Sequence, residues 1–420
     1  FFLSNLCANL FIVYWEKMFK LSLLGLAVVT KAANVLEATA TLRPSDTTSQ
    51  LSGYVTFRQV NGNDPLSGVE VDVSKLTGVP AGRHGFHIHQ FGDSTSPEKV
   101  GGHFVPLCAM RRALDDTGTT TLTCGENELD RKCACDEIHG FPPSAKRMPG
   151  DMGNLDCASD GTCLLCFTGD TRASGCAASK TLLQQKMSLS NDLRSVIGRS
   201  VAIHAREDST AAVTTNGLGD AGPAIAYGTV GITAPGAALP SGTATSQTTD
   251  TNVAAPPASP PADKTVCIFR SNIGTSLNTG ISGKAIISID LNKKLQGLTD
   301  YCNMRVEMTG LTAGTRSFHF HKNGDLRYGL TADGSLKTKL IGAIYNSNKL
   351  EVKEWNIQSV NPSIFETPCT MGDVSELVGR SLTIHESADA SSATIAMAVC
   401  GTYQQIKKKL ENVNCTNNRL

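Results

Sequence analysis

The feature that most constrains this 420-residue chain is an internal repeat. The segment GFHIHQFGD at residues 85–93 returns as SFHFHKNGD at residues 317–325, and GRSVAIH at 198–204 returns as GRSLTIH at 379–385. Each copy then closes on an apolar run, AIAYGTVG in the first half and IAMAVCGT in the second. Because the order and the approximate spacing agree, the chain contains a duplicated domain rather than two chance matches.

The two copies are separated by residues 232–264, which are almost entirely Ala, Pro, Thr, Ser and Gly. Such a segment cannot bury a core, so it is predicted to be a disordered linker between domains at 35–231 and 265–405, with a basic tail at 406–420. Within both domains, short alternating segments such as YVTFRQV from residue 54 and KAIISID from residue 284 predict strands. The expected fold is all-β, with two tandem Greek-key β-barrels or sandwiches.

Residues 18–33 have the pattern of a secretory signal peptide. Lys20 supplies a positive charge, an apolar run of nine residues follows at 21–29, and the small residues Ala32 and Ala33 come next. This run is too short to span a membrane, and no later segment is long and apolar enough to do so. The protein is therefore expected to be secreted and extracellular. Its net charge of zero argues against nucleic acid as a partner.

Eight of the fourteen cysteines lie between Cys108 and Cys176, and two interpretations compete for them. The close pairs Cys133/Cys135 and Cys163/Cys166 could belong to a zinc or iron–sulfur cage. Alternatively, the cysteines form disulfides in an oxidising compartment. The signal peptide favours the disulfides.

The repeated His-x-His motifs predict metal sites. Side chains at positions i and i+2 of a strand point to the same face, so His87 and His89 can bind one ion, and His319 and His321 another. A pair of ordinary strand histidines is the competing interpretation, which the repetition in both halves disfavours. Imidazole suits copper and zinc, and such a site needs more ligands. The candidates are His103, His139, Asp151 and His204.

Four separated motifs, GFHIHQFGD, GGHFVP, HGFPPSAKRMPGDMGN and GRSVAIH, resemble those of the extracellular copper/zinc superoxide dismutase family. The resemblance covers most of residues 50–231 and implies an eight-stranded Greek-key β-barrel. It implies an antioxidant oxidoreductase that converts its substrate superoxide to oxygen and hydrogen peroxide by copper redox cycling. The copper ligands would be His87, His89, His103 and His204.

The same resemblance gives His103 a catalytic role, as a bridge between copper and zinc. Zinc would also be bound by His139 and Asp151, while Asp208 would link the two ligand sets and orient their imidazoles. Met148 stands where the family has a third zinc histidine. A thioether is a poor zinc ligand, so zinc binding is expected to be weakened.

Two further departures concern activity and cross-linking. Ala224 replaces the family's active-site Arg, which puts efficient turnover in doubt because a positive cleft speeds the arrival of an anion. Arg206 or Lys186 could substitute for it. Pro97 and Tyr227 occupy the places of the family's disulfide, so a different disulfide set is expected.

The second domain is the more eroded copy. His319, His321 and His385 match three copper ligands and make it a weaker candidate for copper, whereas Ile344 replaces the bridging histidine. Asp389 matches the linking carboxylate, and Cys369 is a candidate partner for Cys400. The alternative to a secreted dismutase is a non-catalytic extracellular copper-binding or structural protein on the same fold. The sequence makes no prediction of the oligomeric state.

Overall fold

The computed structural model describes the following residues: 35–46, 49–59, 68–95, 97–104, 139–142, 147–166, 176, 183–184, 186–190, 194–209, 220–233, 264–269, 280–327, 340–345, 352–357, 361–371, 373–389 and 392–403. The predicted signal peptide at 18–33, linker residues 234–263 and the tail at 406–420 lie outside them. Among the described helices, none is long and apolar enough to span a membrane.

The first half forms a ten-stranded sheet with the order β7-β6-β5-β9-β10-β1-β3-β4-β8, to which β2 adds beside β10. Its one described helix, α1, is a single turn at Pro97–Val100. The strands are β1 Leu36–Thr41, β2 Arg43–Pro44, β3 Tyr54–Gln59, β4 Val69–Asp72, β5 Gly82–His89, β6 Asp151–Cys157, β7 Cys163–Cys166, β8 Leu183–Gln184, β9 Ser200–His204 and β10 Ala224–Ile232.

The second half forms an eight-stranded sheet with the order β15-β14-β17-β18-β11-β12-β13-β16. It includes a short helix, α2, at Leu291–Leu295 and a 3₁₀ turn at Val374–Leu377. The strands are β11 Lys264–Phe269, β12 Ser282–Ile289, β13 Cys302–Thr309, β14 Gly314–His321, β15 Val352–Ile357, β16 Ser363–Cys369, β17 Ser381–His385 and β18 Thr394–Thr402.

The two sheets share one topology. The neighbours β6-β5-β9-β10-β1-β3-β4 of the first sheet correspond in order to β15-β14-β17-β18-β11-β12-β13 of the second. The prediction of two tandem all-β domains with barrel-like sheets is confirmed. The alternation of buried and more exposed side chains along β3 places the core as expected. Val55 and Phe57 are fully buried, whereas the next residue, Arg58, is exposed. The limits at 35–231 and 265–405 stay predictions; β10 ends at Ile232 and β11 begins at Lys264.

Four disulfides lie within the described residues, two in each half: Cys157–Cys163, Cys166–Cys176, Cys267–Cys400 and Cys302–Cys369. They confirm disulfide bonding and remove Cys163 and Cys166 from any thiolate cage. Cys108, Cys124, Cys133 and Cys135 lie outside the described residues.

The expected pairing of Cys369 with Cys400 is wrong. Strand register decides the partners, because Cys400 on β18 lies directly opposite Cys267 on β11. Cys369 on β16 lies directly opposite Cys302 on β13. A disulfide needs Cα atoms within about 7 Å of each other, which facing positions on neighbouring strands provide.

Candidate metal centre

Four buried histidines of the first half meet at one point. Strand β5 carries two of them, β9 carries one, and His103 reaches the group through an isolated bridge to His89. One ring nitrogen from each lies within 4.8 Å of the others, a spacing that one metal ion can satisfy. The members are His87, His89, His103 and His204.

Backbone carbonyls fix the orientation of two of these rings. Nδ1 of His89 donates to the carbonyl of Gly101 at 2.8 Å, and Nδ1 of His204 donates to that of Gly222 at 2.7 Å. A carbonyl can only accept, so the proton of each neutral ring is on Nδ1 and Nε2 carries a lone pair. The two Nε2 atoms lie 3.2 Å apart. Two lone pairs at this distance repel unless a cation lies between them.

Carboxylates orient the other two rings. Nδ1 of His103 donates to Oδ1 of Asp151 at 2.7 Å, and Nε2 of His87 lies 2.7 Å from Oδ2 of Asp208. The His87–Asp208 contact is one of charge proximity, because both ring nitrogens of His87 and Oδ2 of Asp208 are buried without a hydrogen bond among the described residues. Nδ1 of His89, of His103 and of His204 is thus committed to an acceptor, which leaves Nε2 of each of these rings free for a metal. The residues therefore fit a metal that prefers imidazole, such as copper.

The protonation of these rings agrees with a cation site. Burial, with a further contribution from the neighbouring histidines, holds the pKa values of His87 and His89 well below their usual range. Burial also lowers the pKa of His204 to about 4, against the small opposing effect of its hydrogen bond to Gly222. At neutral pH these nitrogens are free of protons and available to a metal.

A second group shares His103 with the first and adds His139 and Asp151. Asp208 joins the two groups, because its Oδ2 lies 2.7 Å from Nε2 of His87 and 3.0 Å from Nε2 of His139. Burial opposes charging of His139, but Asp151 and Asp208 overcome it and raise its pKa to about 10. Burial raises the pKa of Asp151, but hydrogen bonds from His103 and His139 lower it by more, so the net effect is a depressed pKa. This position attracts positive charge, whether a proton or a metal ion.

Met148, at the expected position of a third zinc ligand, lies just before β6. It is half-buried, and its carbonyl accepts from the amide of Asp151 at 3.1 Å. The described zinc-type group is thus one of two imidazoles and one carboxylate.

The position at which the sequence analysis expected an arginine to be replaced, Ala224, has apolar surroundings. Ala224 is buried in a small cluster with Val100, Ala202 and Tyr227. Of the two substitutes, Lys186 donates to the carbonyl of Arg147 at 2.7 Å.

Arg206, the other substitute, is exposed and lies beside Gly222. A Cβ built at Gly222 would be 2.9 Å from Nε of Arg206. The carbonyl of Gly222 is the one that orients His204.

The second half repeats this geometry with one decisive difference. Nδ1 of His321 donates to the carbonyl of Gly342 at 2.8 Å, and Nδ1 of His385 to that of Ser392 at 3.0 Å, which again frees both Nε2 atoms. Here, however, the hydroxyl of Thr383 lies between them, 3.1 Å from Nε2 of His321 and 3.2 Å from Nε2 of His385.

The position of the bridging histidine is also altered in the second half. Ile344 takes the place of His103, since the bridge His321↔Ile344 repeats His89↔His103. The rings of His319 and His385 lie 5.3 Å apart between centroids. Among the described residues, His319, His321 and His385 do not bring one ring nitrogen each within 4.8 Å of one another.

The sequence analysis missed the arginines of the two GRS motifs. Nη1 of Arg199 donates to the carbonyl of Gln90 at 2.7 Å and its guanidinium stacks on Phe104, so it fixes the segment between His89 and His103. Arg380 repeats this contact on Lys322. The recurrence of Arg in both halves was the available signal.

The chain is similar to known proteins over its first half. A profile of the family described as "Copper/zinc superoxide dismutase (SODC)" matches residues 51–230. A superoxide dismutase [Cu-Zn] of Schizosaccharomyces pombe is 32% identical over 203 residues, which cover 47% of this chain and 99% of the relative. That of Yarrowia lipolytica is 28% identical over 204 residues, 48% of this chain and 100% of the relative. The extracellular superoxide dismutase [Cu-Zn] of Drosophila melanogaster is 31% identical over 192 residues, which cover 45% of this chain and 79% of the relative.

Proposed function

Because the chain belongs to the copper/zinc superoxide dismutase family, we propose that residues 35–231 form a secreted, copper-dependent superoxide dismutase. The observation that carries the proposal is the convergence of four buried imidazoles, one ring nitrogen of each lying within 4.8 Å of the others. Copper would be held by His87, His89, His103 and His204.

Zinc is proposed for the adjoining group of His103, His139 and Asp151. Structural zinc sites almost always have four protein ligands, and this one offers three. Zinc is therefore expected to bind more weakly than copper and to complete its coordination with a non-protein ligand. Because the carboxylate of Asp208 contacts rings of both groups, occupancy of one site is expected to influence the other.

Copper, when bound, supplies the one-electron redox chemistry that disproportionates superoxide. The chain contributes the handling of protons and the arrangement of ligands. His103 is proposed as the catalytic histidine, because Asp151 holds its Nδ1 and leaves Nε2 on the copper side to take up and release a proton. Asp208, whose Oδ2 lies 2.7 Å from Nε2 of His87, is proposed to favour a proton on Nε2 through its negative charge and so to leave Nδ1 for the metal.

Turnover also depends on how quickly the anionic substrate arrives. With Ala224 buried and uncharged, we propose that Arg206 supplies the positive charge near the site. Its guanidinium lies beside Gly222, one hydrogen bond from His204. Turnover is expected to be less efficient than in a dismutase with a cation at position 224, since steering weakens with distance and exposure to salt.

Secretion is supported by three observations. The predicted signal peptide lies at 18–33, four disulfides occur within the described residues, and one relative is an extracellular enzyme. N-terminal sequencing of the protein recovered from the medium of expressing cells tests the location, and the expected chain begins after the predicted signal peptide. Retention of the uncleaved chain inside the cells would contradict it.

The repeat supplies a matched control for the test of activity. In the full-length protein, the double substitution His87→Ala, His89→Ala is expected to abolish superoxide disproportionation and to remove copper. The same double substitution at His319 and His321 is expected to leave the rate unchanged. Copper and zinc are measured in each sample by mass spectrometry.

Two outcomes would contradict the proposal. Equal rates from the intact protein and the His87, His89 variant would remove the enzyme claim. If that variant also lost copper, the chain would be a non-catalytic copper-binding protein, which the uncharged position 224 would explain.

A further inference from the structure

We propose that the second domain serves as a built-in partner subunit of the first, bound through a pseudo-symmetric interface that does not depend on the linker. The described residues of both halves lie within one unit that runs from Val35 to Leu420. The inference is independent of the proposed function, because it concerns association and not catalysis.

Reciprocal backbone hydrogen bonds form the centre of the interface. The amide of Gly92 donates to the carbonyl of Thr402 at 2.9 Å, and at the equivalent position of the repeat the amide of Gly324 donates to the carbonyl of Ile232, also at 2.9 Å. A second pair joins the GRS motifs to the last strands. Thr402 donates to Gly198 at 2.9 Å, and Ile232 donates to Gly379 at 2.8 Å.

This pattern is that of a two-fold interface, in which residue i of one partner meets residue j of the other and the reverse also holds. The equivalences follow the sequence repeat: Gly92 with Gly324, Gly198 with Gly379, and Ile232 with Thr402. A chance contact between two tethered domains would have no reason to respect them. In this interface the second domain therefore makes the contacts that a second copy of the first domain would make.

Apolar side chains flank the hydrogen bonds in the same reciprocal manner. Val378 of the second half is 3% exposed and belongs to the hydrophobic core of the first half. A Cβ built at Gly198 would be 2.0 Å from Cγ1 of Val378, and one built at Gly379 would be 2.4 Å from Cγ2 of Ile197. Each glycine thus admits an aliphatic side chain of the opposite domain.

Two glycines of the last strands show how closely the backbones approach. The three heavy atoms nearest to a Cβ on Gly401 would all belong to the first half, with Cα of Gly92 at 2.7 Å and the oxygen of Gly198 at 2.8 Å. The three heavy atoms nearest to a Cβ on the equivalent Gly231 would all belong to Gly324, with its oxygen at 2.2 Å. Neither contact involves the glycine's own domain, so a side chain at these positions obstructs the interface first.

The interface also reaches the segment that carries the metal ligands. Thr402 holds the amide of Gly92, and its hydroxyl lies 3.4 Å from the carbonyl of Gln90, immediately after His89. The same segment continues to Gly101, whose carbonyl orients His89. The second domain is therefore placed to stabilise the loop that positions one edge of the metal centre.

The first test uses the full-length protein with a site-specific protease sequence inserted between residues 240 and 260. After cleavage, the halves are expected to sediment together at micromolar concentration under native conditions. They must separate on a non-reducing denaturing gel, which excludes a disulfide between them. Separation under native conditions would overturn the proposal.

The second test adds Gly401→Val, with Gly231→Val as its equivalent in the other domain. Overpacking of this kind is expected to weaken association of the cleaved halves by about tenfold or more. Gly280→Ala is the control for general destabilisation, because it adds a methyl group at a strained φ of +67° but where no heavy atom lies within 4 Å. Circular dichroism confirms that each variant retains its strands.

The outcomes of this test are distinct. Association that is unchanged in both valine variants would overturn the proposed interface. An equal loss in the Gly280→Ala protein would also overturn it, by showing that general destabilisation governs association. Copper affinity of the first site, measured by chelator competition, is expected to fall with Gly401→Val and to remain with Gly280→Ala.

Discussion

Thr383→Ala should strengthen copper binding by the second domain. In the native protein one hydroxyl faces three acceptors, Nε2 of His321, Nε2 of His385 and the carbonyl of His319, the last at 3.3 Å. A hydroxyl has a single proton, so it satisfies one acceptor at a time. A metal ion that uses both Nε2 lone pairs has to displace this hydroxyl.

The size of the effect follows from what the ion displaces. A neutral hydrogen bond contributes about 1 kcal/mol net, and the hydroxyl dipole also loses its second imidazole neighbour. Removing this competition should improve copper binding by about 1 to 2 kcal/mol, which corresponds to about five- to thirtyfold in the dissociation constant. The second site should remain weaker than the first, since Ile344 supplies no fourth imidazole.

The assay is a Cu²⁺ titration of the full-length protein against a chromophoric chelator, read after the first equivalent has bound. Thr383→Val is the matched comparison, because it removes the hydroxyl but keeps the volume of the side chain. Ala202 occupies the equivalent place in the first domain, opposite His87 as Thr383 is opposite His319. Ala202→Thr should therefore weaken the first copper site more than Ala202→Val does.

Two results would refute this reasoning. The second equivalent of copper could bind no more tightly in the Thr383 variants than in the native protein. Alternatively, the gain could persist after His321→Ala is added, in which case the copper binds elsewhere.

Three further predictions concern the first domain. Asp208→Asn should weaken copper and zinc binding together by about 10- to 100-fold in chelator competition, whereas Asp389→Asn should change neither; an effect on one metal alone would contradict the shared role. Arg206→Gln should lower kcat/KM and flatten its dependence on ionic strength, and Arg206→Lys should preserve both; identical salt profiles would exclude steering by Arg206. Burial lowers the pKa of His204 from 6.5 to about 4, so the unfolded chain binds its proton first. His204 should thus contribute about 3 kcal/mol to the stability that the metal-free protein loses as pH falls from 6.5 to 4, measured by guanidinium denaturation, and His204→Gln should reduce the loss by this amount. The rest of the loss should remain, because burial also lowers the pKa values of His87 and His89.

Local periodicity predicted the strands and the pairing of His87 with His89, whereas the four-histidine set with His103 and His204 was implied by the resemblance to the family. His87 and His89 share a face at spacing i, i+2, and the repeat fixed which strands correspond. The disulfides of the second half were not predictable in this way. Cys302 and Cys369 are 67 residues apart, and only the register of β13 against β16 brings them together.

The hydroxyl of Thr383 and the contact of Gly401 with Gly92 were hidden for a similar reason. Each depends on which atoms meet across strands or domains, not on the type of residue at one position. Threonine in a strand is ordinary, and glycine near a strand end is commonly a turn residue. Neither residue carries a signal until the opposing atoms are known.

The retained motifs of the second domain are explained better by the interface than by metal binding. The glycines of the two FGD and NGD segments and of the two GRS motifs supply the reciprocal hydrogen bonds, and Arg380 holds its loop as Arg199 does. The positions that differ are those that matter only to a metal, where Ile344 replaces a bridging imidazole and Thr383 places a hydroxyl between two ring nitrogens. A domain that only has to pack against its partner keeps the interface residues but does not need a complete set of metal ligands.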